Sequence, residues 1–91
     1  MTEKANSSKN GWFVYILRCS DGSLYTGITN DLDRRCEQHN AGTASRYTRS
    51  RLPVELVYQE EQGNRSVATK RELEIKALSR LEKEALIRAA E

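Results

Sequence analysis

Four side chains in the first half of the chain have the types and spacing needed for chemistry on a phosphodiester. Tyr15 and Tyr25 are ten residues apart. Arg35 follows ten residues after Tyr25, and His39 lies four residues beyond Arg35. A guanidinium is a permanent cation that can hold a phosphate, whereas imidazole and phenol groups can exchange protons. The sequence therefore indicates a site that binds an anion and moves protons beside it.

Two short apolar segments carry the tyrosines. Residues 12–18 are rich in β-branched and aromatic side chains, and residues 24–28 form a second apolar run, so both are predicted strands. Between them, Ser20-Asp21-Gly22-Ser23 contains the Asp-Gly pair that is typical of a tight hairpin turn. An antiparallel hairpin brings Tyr15 and Tyr25 towards each other, but the turn geometry decides whether they share a face.

A helix is predicted from a cap at Asn30 or Asp31 to about Ala41. Arg35 and His39 are i and i+4 on this helix, so they project from neighbouring positions. A histidine that only interacts with the carbonyl groups at the helix end is the alternative interpretation of His39.

A loop and a third strand follow this helix. Residues 42–53 contain small, polar and basic side chains and predict a loop. Residues 54–59 predict a strand in which Val54, Leu56 and Tyr58 occupy one face.

Two helices complete the chain. The first, over about residues 65–78, has an apolar stripe at helical spacing, and Glu72 and Glu74 lie at its opposite edges. The pattern does not decide which carboxylate turns inward. The second helix begins at a capping box formed by Ser79 and Glu82. The element order β-β-α-β-α-α predicts an α+β fold.

Positive charge is concentrated in one part of a nearly neutral chain. The 91 residues carry a formal net charge of +2, whereas residues 34–51 contain five arginines and one glutamate and carry +4. This cationic strip indicates an anionic partner, and arginines around an aromatic side chain can grip phosphates and stack on an unpaired base. A solvated loop with scattered arginines is the alternative. The predicted nucleic-acid-binding residues are Arg34, Arg46, Tyr47, Arg49 and Arg51.

Chain length and composition predict one domain, residues 11–91, after a disordered tail formed by residues 1–10. The tail is polar, which is typical of neither a secretory signal nor a membrane anchor, and the longest apolar run is too short to cross a bilayer. Cys19 and Cys36 are predicted free thiols of a reduced, cytoplasmic protein.

Taken in order, the motifs resemble those of the GIY-YIG nuclease superfamily. Val14-Tyr15-Ile16 and Tyr25-Thr26-Gly27 are similar to its two tyrosine motifs, although Phe13 stands where the first has glycine. Ala68 followed by Glu72 resembles the segment that carries its metal-binding glutamate. The chain most resembles the small stand-alone bacterial branch often called YhbQ-like, over residues 12 to about 88.

The resemblance implies a three-stranded antiparallel sheet flanked by helices and metal-dependent hydrolysis of DNA. Glu72 would hold one divalent cation, Mg²⁺ or Mn²⁺, and Arg35 would bind the scissile phosphate. Tyr15 or Tyr25 would help to activate the water, and His39 would assist proton transfer or orient a tyrosine. Gly27 belongs to the structural part of the second motif.

Three other interpretations compete with a metal-dependent endonuclease. The domain could bind nucleic acid without cutting it. A Cys36–His39 nucleophile pair has the right helical spacing, but no third group orients it. One histidine and two cysteines do not provide a tetrahedral zinc site. As an endonuclease, the domain is expected to act on single-stranded or branched DNA in processing, repair or uptake, as a monomer or weak dimer.

Overall fold

The computed structural model describes residues 11–91, so the predicted tail lies outside the described residues. In chain order the elements are β1 (Trp12–Arg18), β2 (Leu24–Thr29), α1 (Leu32–Asn40), α2 (Arg46–Arg49), β3 (Glu55–Gln62), α3 (Arg65–Lys76) and α4 (Arg80–Ala89). The strands form one antiparallel sheet in the order β2-β1-β3. The predicted α+β class is confirmed. Between residues 11 and 91, no helix has both the length and the apolar character needed to span a membrane.

The β1–β2 hairpin places both tyrosines on one face of the sheet. Gly22 in the turn has a φ of +86°, the left-handed conformation that glycine adopts without a steric penalty. In the resulting register Tyr15 lies opposite Gly27, and Leu17 lies opposite Tyr25. Because residues i and i+2 of a strand share a face, Tyr15 and Leu17 project to the same side. Tyr25 therefore projects to that side as well.

A β-bulge in β3 changes the alternation that the sequence predicts. Ile16 pairs with Tyr58 but the next residue, Leu17, pairs with Leu56, so Val57 is the extra residue. Leu56 packs on the tyrosine face of β1, and Tyr58 packs on the opposite face. The prediction that Leu56 and Tyr58 share a face is wrong. Side chains alternate between the two faces along a strand, so one extra residue moves the side chains beyond it to the opposite face.

Each face of the sheet has its own apolar core. The face that carries the tyrosines buries Phe13, Tyr15, Leu17, Cys19, Leu32 and Val54. The other face buries Val14, Ile16, Ala68, Ile75 and Ile87. Helix α1 contributes Leu32 to the first core, whereas α3 and α4 cover the second. The central strand β1 is thus packed on both sides, which makes it a rigid support for Tyr15.

Helices α1 and α4 begin at the caps that the sequence predicts. The carboxylate of Asp31 accepts a hydrogen bond from the Arg34 backbone N–H at 3.1 Å at the start of α1. Ser79 and Glu82 form the reciprocal capping box of α4. Helix α3 ends at Lys76, before the predicted end at residue 78.

The predicted loop of residues 42–53 contains one turn of helix, α2. The Ser45 hydroxyl accepts a hydrogen bond from the Tyr47 backbone N–H at 3.1 Å and starts this turn. At the end of α1, the Asn40 side chain accepts from the N–H of Val54 at 2.8 Å and donates to its carbonyl at 3.1 Å. These bonds close the loop onto α1, so that α2 lies beside His39.

Candidate active site

The centre of the site is the buried phenol of Tyr15, which is 2% exposed. Its hydroxyl oxygen lies 2.9 Å from Nε2 of His39. Gly27 on β2 provides the space for the ring, since a Cβ at that position would stand 2.6 Å from the Tyr15 hydroxyl oxygen and 2.7 Å from Cζ. A glycine is therefore required opposite Tyr15 for the phenol to reach His39.

A chain of hydrogen bonds determines the tautomer of His39. Its Nδ1 lies 2.8 Å from the Thr48 hydroxyl oxygen, and this hydroxyl donates to the carbonyl of Ser45 at 3.3 Å. Because the Thr48 proton is used in that bond, its oxygen accepts from Nδ1–H. Nε2 is then the acceptor for the Tyr15 hydroxyl. His39 is a buried link between a strand and the loop, which overturns the interpretation of a histidine that only meets helix-end carbonyls.

Burial keeps both members of the Tyr15–His39 pair neutral. Desolvation raises the pKa of Tyr15 and the neighbouring Tyr25 raises it further, while the charge of Arg35 opposes the shift. Desolvation also lowers the pKa of His39 to about 4, and Arg35 acts in the same direction. At neutral pH the pair is a phenol that donates its proton to an uncharged imidazole.

Tyr25 is the more accessible tyrosine and lines an open cleft of about 280 Å³. The centroid of its ring is 6.5 Å from that of Tyr15 and 5.1 Å from that of His39. Its other neighbour is the ring of Tyr47, stacked at 6.1 Å. Within residues 11–91, the Tyr25 hydroxyl makes no hydrogen bond to another group. This hydroxyl can therefore contact a molecule that enters the cleft.

Arg35 supplies the positive charge of the site. It lies one turn before His39 on α1 and is partly buried. Its charge favours the ionised form of Tyr15 and disfavours the ionised form of His39, which puts the guanidinium within electrostatic range of both. No carboxylate in the described part of the chain forms an ion pair with Arg35, so the cation is available to an anionic ligand.

Of the two carboxylates at the edges of α3, Glu72 is the one that turns inward. Its side chain is 16% exposed, against 66% for that of Glu74. Glu72 forms an ion pair with Lys76 at 3.2 Å, and Lys76 lines the cleft together with Tyr25. The charge of Glu72 also contributes to the raised pKa of Tyr15. Helix α3, which carries Glu72, packs against β2, the strand that carries Tyr25.

Glu72 can serve as a ligand for a hard divalent cation. No cluster of three or more histidine, cysteine, aspartate or glutamate side chains suited to a metal occurs in residues 11–91. Mg²⁺ prefers oxygen ligands, keeps several of its waters, and is commonly held by one or two carboxylates together with substrate phosphates. A partly buried carboxylate whose ion-pair partner is a flexible lysine fits this ion. It does not fit tetrahedral zinc, which needs three or four protein ligands.

Comparison with known protein families shows which family the chain belongs to. Residues 11–85 match the family model described as the GIY-YIG catalytic domain. The chain belongs to the GIY-YIG superfamily. The predicted superfamily and its small stand-alone branch are confirmed, and the superfamily is one of nucleases.

The matches to related proteins and to solved structures cover most of the chain. A UPF0213 protein of Desulfotalea psychrophila is 49% identical over 90 residues, which cover 98% of this chain and 82% of the relative. A UPF0213 protein of Staphylococcus aureus is 54% identical over 76 residues, with coverages of 84% and 93%. The solution structure of a UPF0213 protein from Bacillus halodurans matches with a TM-score of 0.57 and 44% identity, covering 87% of this chain and 84% of that one. A solution structure from E. faecalis gives 0.60 and 37%, with coverages of 88% and 86%.

The basic residues near the GIY-YIG site fall into two groups. Arg51 is held within the protein: its Nε is 3.0 Å from a carboxylate oxygen of Asp21, and its Nη1 donates to the Tyr47 carbonyl at 2.8 Å. Its guanidinium also lies 3.9 Å from the centre of the Tyr47 ring, which supports that ring from one side. The other predicted nucleic-acid-binding arginines are exposed and make no ion pair among the described residues: Arg34, Arg46 and Arg49.

Three residues of the GIY-YIG site were not singled out from the sequence. Thr48 is fully buried, and its only sequence signal is its position three residues after Ser45, the residue that begins α2. Lys76 lies four residues after Glu72, a spacing that predicts an ion pair on a helix. Lys83 has no comparable signal, because its position depends on how α4 packs.

The interpretation of Cys36 and His39 as a nucleophile pair is wrong. Both ring nitrogens of His39 are already bonded, to Tyr15 and to Thr48. Burial raises the pKa of the Cys36 thiol, which disfavours the reactive thiolate. Cys36 instead packs against the core on the tyrosine face of the sheet.

Proposed function

We propose that this GIY-YIG domain is a divalent-metal-dependent endonuclease that hydrolyses phosphodiester bonds in DNA. The observation that supports this most is the convergence of Tyr15, Tyr25 and His39 with the cation Arg35 and the carboxylate Glu72 at the β2 edge of the sheet. Hydrolysis of an anionic ester requires groups that move protons, a cation for the developing charge and a ligand for the metal. The site contains one set of each.

Arg35 is the proposed ligand of the scissile phosphate. It remains protonated throughout, so its contribution is electrostatic stabilisation and not acid catalysis. Interactions of this kind are commonly worth about 10²- to 10³-fold in rate.

Tyr25 is the proposed contact of the attacking water, because its hydroxyl faces the cleft. Tyr15 and His39 are 2% and 1% exposed. They therefore act from the protein interior, behind Tyr25, as a hydrogen-bonded pair. The hydrogen bond from the Tyr15 hydroxyl to Nε2 of His39 fixes the imidazole, whose ring centroid lies 5.1 Å from that of Tyr25, so the pair holds Tyr25 in position. Thr48 completes this support by accepting a hydrogen bond from Nδ1–H of His39.

Glu72 is the proposed ligand of a single Mg²⁺ or Mn²⁺. Such an ion, when bound, polarises the phosphate and stabilises the leaving oxygen. A cation bound there would compete with the ammonium of Lys76, because both would use oxygen atoms of the same carboxylate.

Single-stranded or branched DNA is the proposed substrate. The exposed arginines of the loop can bind phosphates, and the exposed edge of the Tyr47 ring can pack against an unpaired base. The free thiols of Cys19 and Cys36 fit a reducing compartment such as the cytoplasm. There the enzyme would act in DNA processing, repair or uptake.

The test is cleavage of labelled single-stranded, duplex and forked DNA by the wild-type protein, with Mg²⁺, with Mn²⁺ or with EDTA. We expect cutting of single-stranded or forked DNA that depends on the metal and stops in EDTA. Tight binding of the same DNA without cutting in either metal would instead support a non-catalytic nucleic-acid-binding module. Absence of both binding and cutting would contradict both functions.

A further inference from the structure

The cleft beside Tyr25 contains two lysines that come from different helices. Its lining consists of Leu24, Tyr25, Thr26, Tyr47, Lys76 and Lys83. Lys76 is the last residue of α3, and Lys83 lies in the first turn of α4. Both lysines therefore line one small volume at the edge of the sheet formed by β2.

Lys83 faces this cleft without a neutralising carboxylate. It is partly buried, and it forms no ion pair with any other described residue. The acids adjacent to it in sequence are already used. Glu82 closes the capping box with Ser79, and Glu84 pairs with Arg18 at 3.0 Å and with Arg80 at 2.8 Å. A partly buried cation in this position is a ligand for an anion that comes from outside the chain.

Lys76 connects the cleft to the candidate catalytic carboxylate. Its Nζ is 3.2 Å from an oxygen of Glu72. Lys76 therefore lies between the carboxylate of Glu72 and the cleft, and Lys83 is the other cation that lines the cleft.

An aromatic wall lies across from the lysines. The rings of Tyr25 and Tyr47 are stacked with an interplanar angle of 24°, and Tyr47 is 37% exposed. Because Arg51 covers one face of the Tyr47 ring, the ring is fixed in orientation. The exposed edge of this fixed ring is suited to packing against a nucleobase, a contact that does not depend on base identity.

We propose that this cleft is the subsite for one unpaired nucleotide next to the scissile phosphate. The proposal rests on the proposed function and specifies the form of its DNA substrate. Lys76 and Lys83 hold the phosphate, and the base packs against the exposed edge of the Tyr47 ring. The cleft volume of about 280 Å³ lies just below the range for small-molecule sites, about 300–1,000 Å³, a size that suits one nucleotide.

The experiment measures binding of a short thymidine oligonucleotide in EDTA, by fluorescence anisotropy over a series of salt concentrations. Lys83→Gln is compared with Lys70→Gln, which removes the same charge from an exposed position on α3 outside the cleft. For a single strand, each phosphate contact contributes about 0.7 to the slope of log affinity against log salt. We expect Lys83→Gln to lower the slope by about this amount and Lys70→Gln to leave it unchanged. Lys83→Arg, which keeps the charge, should retain the wild-type slope.

The outcomes separate the subsite from the endonuclease activity. Equal slopes for Lys83→Gln and Lys70→Gln overturn the subsite, even if the wild-type protein cuts DNA. A reduced slope for Lys83→Gln supports the subsite, even if no cutting occurs in any metal. An equal loss on a blunt duplex of the same length contradicts the assignment to an unpaired nucleotide. The melting temperature of each variant shows whether its fold is intact.

Discussion

The hydroxyl oxygen of Tyr15 lies 2.6 Å from the point where a Cβ on Gly27 would stand. The glycine of one tyrosine motif therefore determines where the tyrosine of the other motif lies. Tyr15 packs against Gly27 on the neighbouring strand and against His39. A change in the packing of the hairpin therefore also changes the site.

Gly27→Ala is expected to displace Tyr15 and break its hydrogen bond to His39. Overpacking of this kind typically destabilises a protein by about 1–3 kcal/mol, which urea unfolding measures. DNA cleavage should fall with it. Gly63→Ala is the matched control, because nothing lies within 4 Å of a Cβ at that glycine. Equal stability and cleavage in the two variants would show that Gly27 does not position Tyr15.

Thr48→Val is expected to change the tautomer of His39. The substitution keeps the side-chain shape but removes the acceptor of Nδ1–H, and leaving such a buried donor unpaired costs about 1–3 kcal/mol. The proton should then move to Nε2. A protonated Nε2 can no longer accept a hydrogen bond from Tyr15. Imidazole ¹⁵N chemical shifts measure the tautomer directly. Thr69→Val, an exposed threonine, is the control, and an unchanged tautomer in Thr48→Val would contradict the hydrogen-bond chain.

Local signals in the sequence predicted many of the strands and helices that position the site. The Asp-Gly turn predicted the hairpin that brings Tyr15 and Tyr25 together, and the Ser79–Glu82 pair predicted the start of α4, because turns and caps depend on neighbours in sequence. The i and i+4 spacing likewise placed Arg35 and His39 on one helix.

Features that depend on tertiary packing were not predictable. The bulge at Val57 arises from pairing between β1 and β3, which the strand pattern alone does not encode. The choice of Glu72 over Glu74 depends on which edge of α3 lies along β2. No periodic pattern in the sequence marks Thr48. Its role depends on a tertiary contact, which forms when the loop closes onto His39.

The free energy of unfolding should decrease as pH falls from about 7 to about 5. Burial lowers the pKa of His39 from 6.5 to about 4, so the unfolded chain binds a proton in this window and the folded protein does not. The expected loss is about 2 kcal/mol. His39 is the chain's one histidine, and the stabilising carboxylate Glu84, with a pKa lowered to about 2, loses its contribution only below about pH 4.5.

Urea unfolding of the wild type and of His39→Gln at both pH values measures this dependence. The variant should be less stable at pH 7 but should show little change between the two pH values. A wild-type stability that stays constant, or a variant that keeps the full dependence, would contradict the assignment to buried, neutral His39.

Arg46→Gln combined with Arg49→Gln should weaken DNA binding and flatten its salt dependence. Both arginines are exposed beside Tyr47, and loss of two phosphate contacts lowers the slope for a single strand by about 1.4. Lys70→Gln combined with Arg88→Gln removes the same charge from α3 and α4 outside the loop. If both double variants change the slope equally, the loop does not form the binding surface.

The most direct test of the central claim compares Glu72→Gln with Glu74→Gln. Both substitutions remove one carboxylate charge from α3 without changing side-chain size, but the Glu72 side chain is 16% exposed and its charge acts on Tyr15, whereas that of Glu74 is 66% exposed. Single-turnover cleavage of the preferred DNA should fall at least about 10²-fold in Glu72→Gln. Glu74→Gln should cut at nearly the wild-type rate, since an exposed ion pair contributes little. Equal rates for the two variants would contradict a catalytic site built on Tyr15, Tyr25 and Glu72.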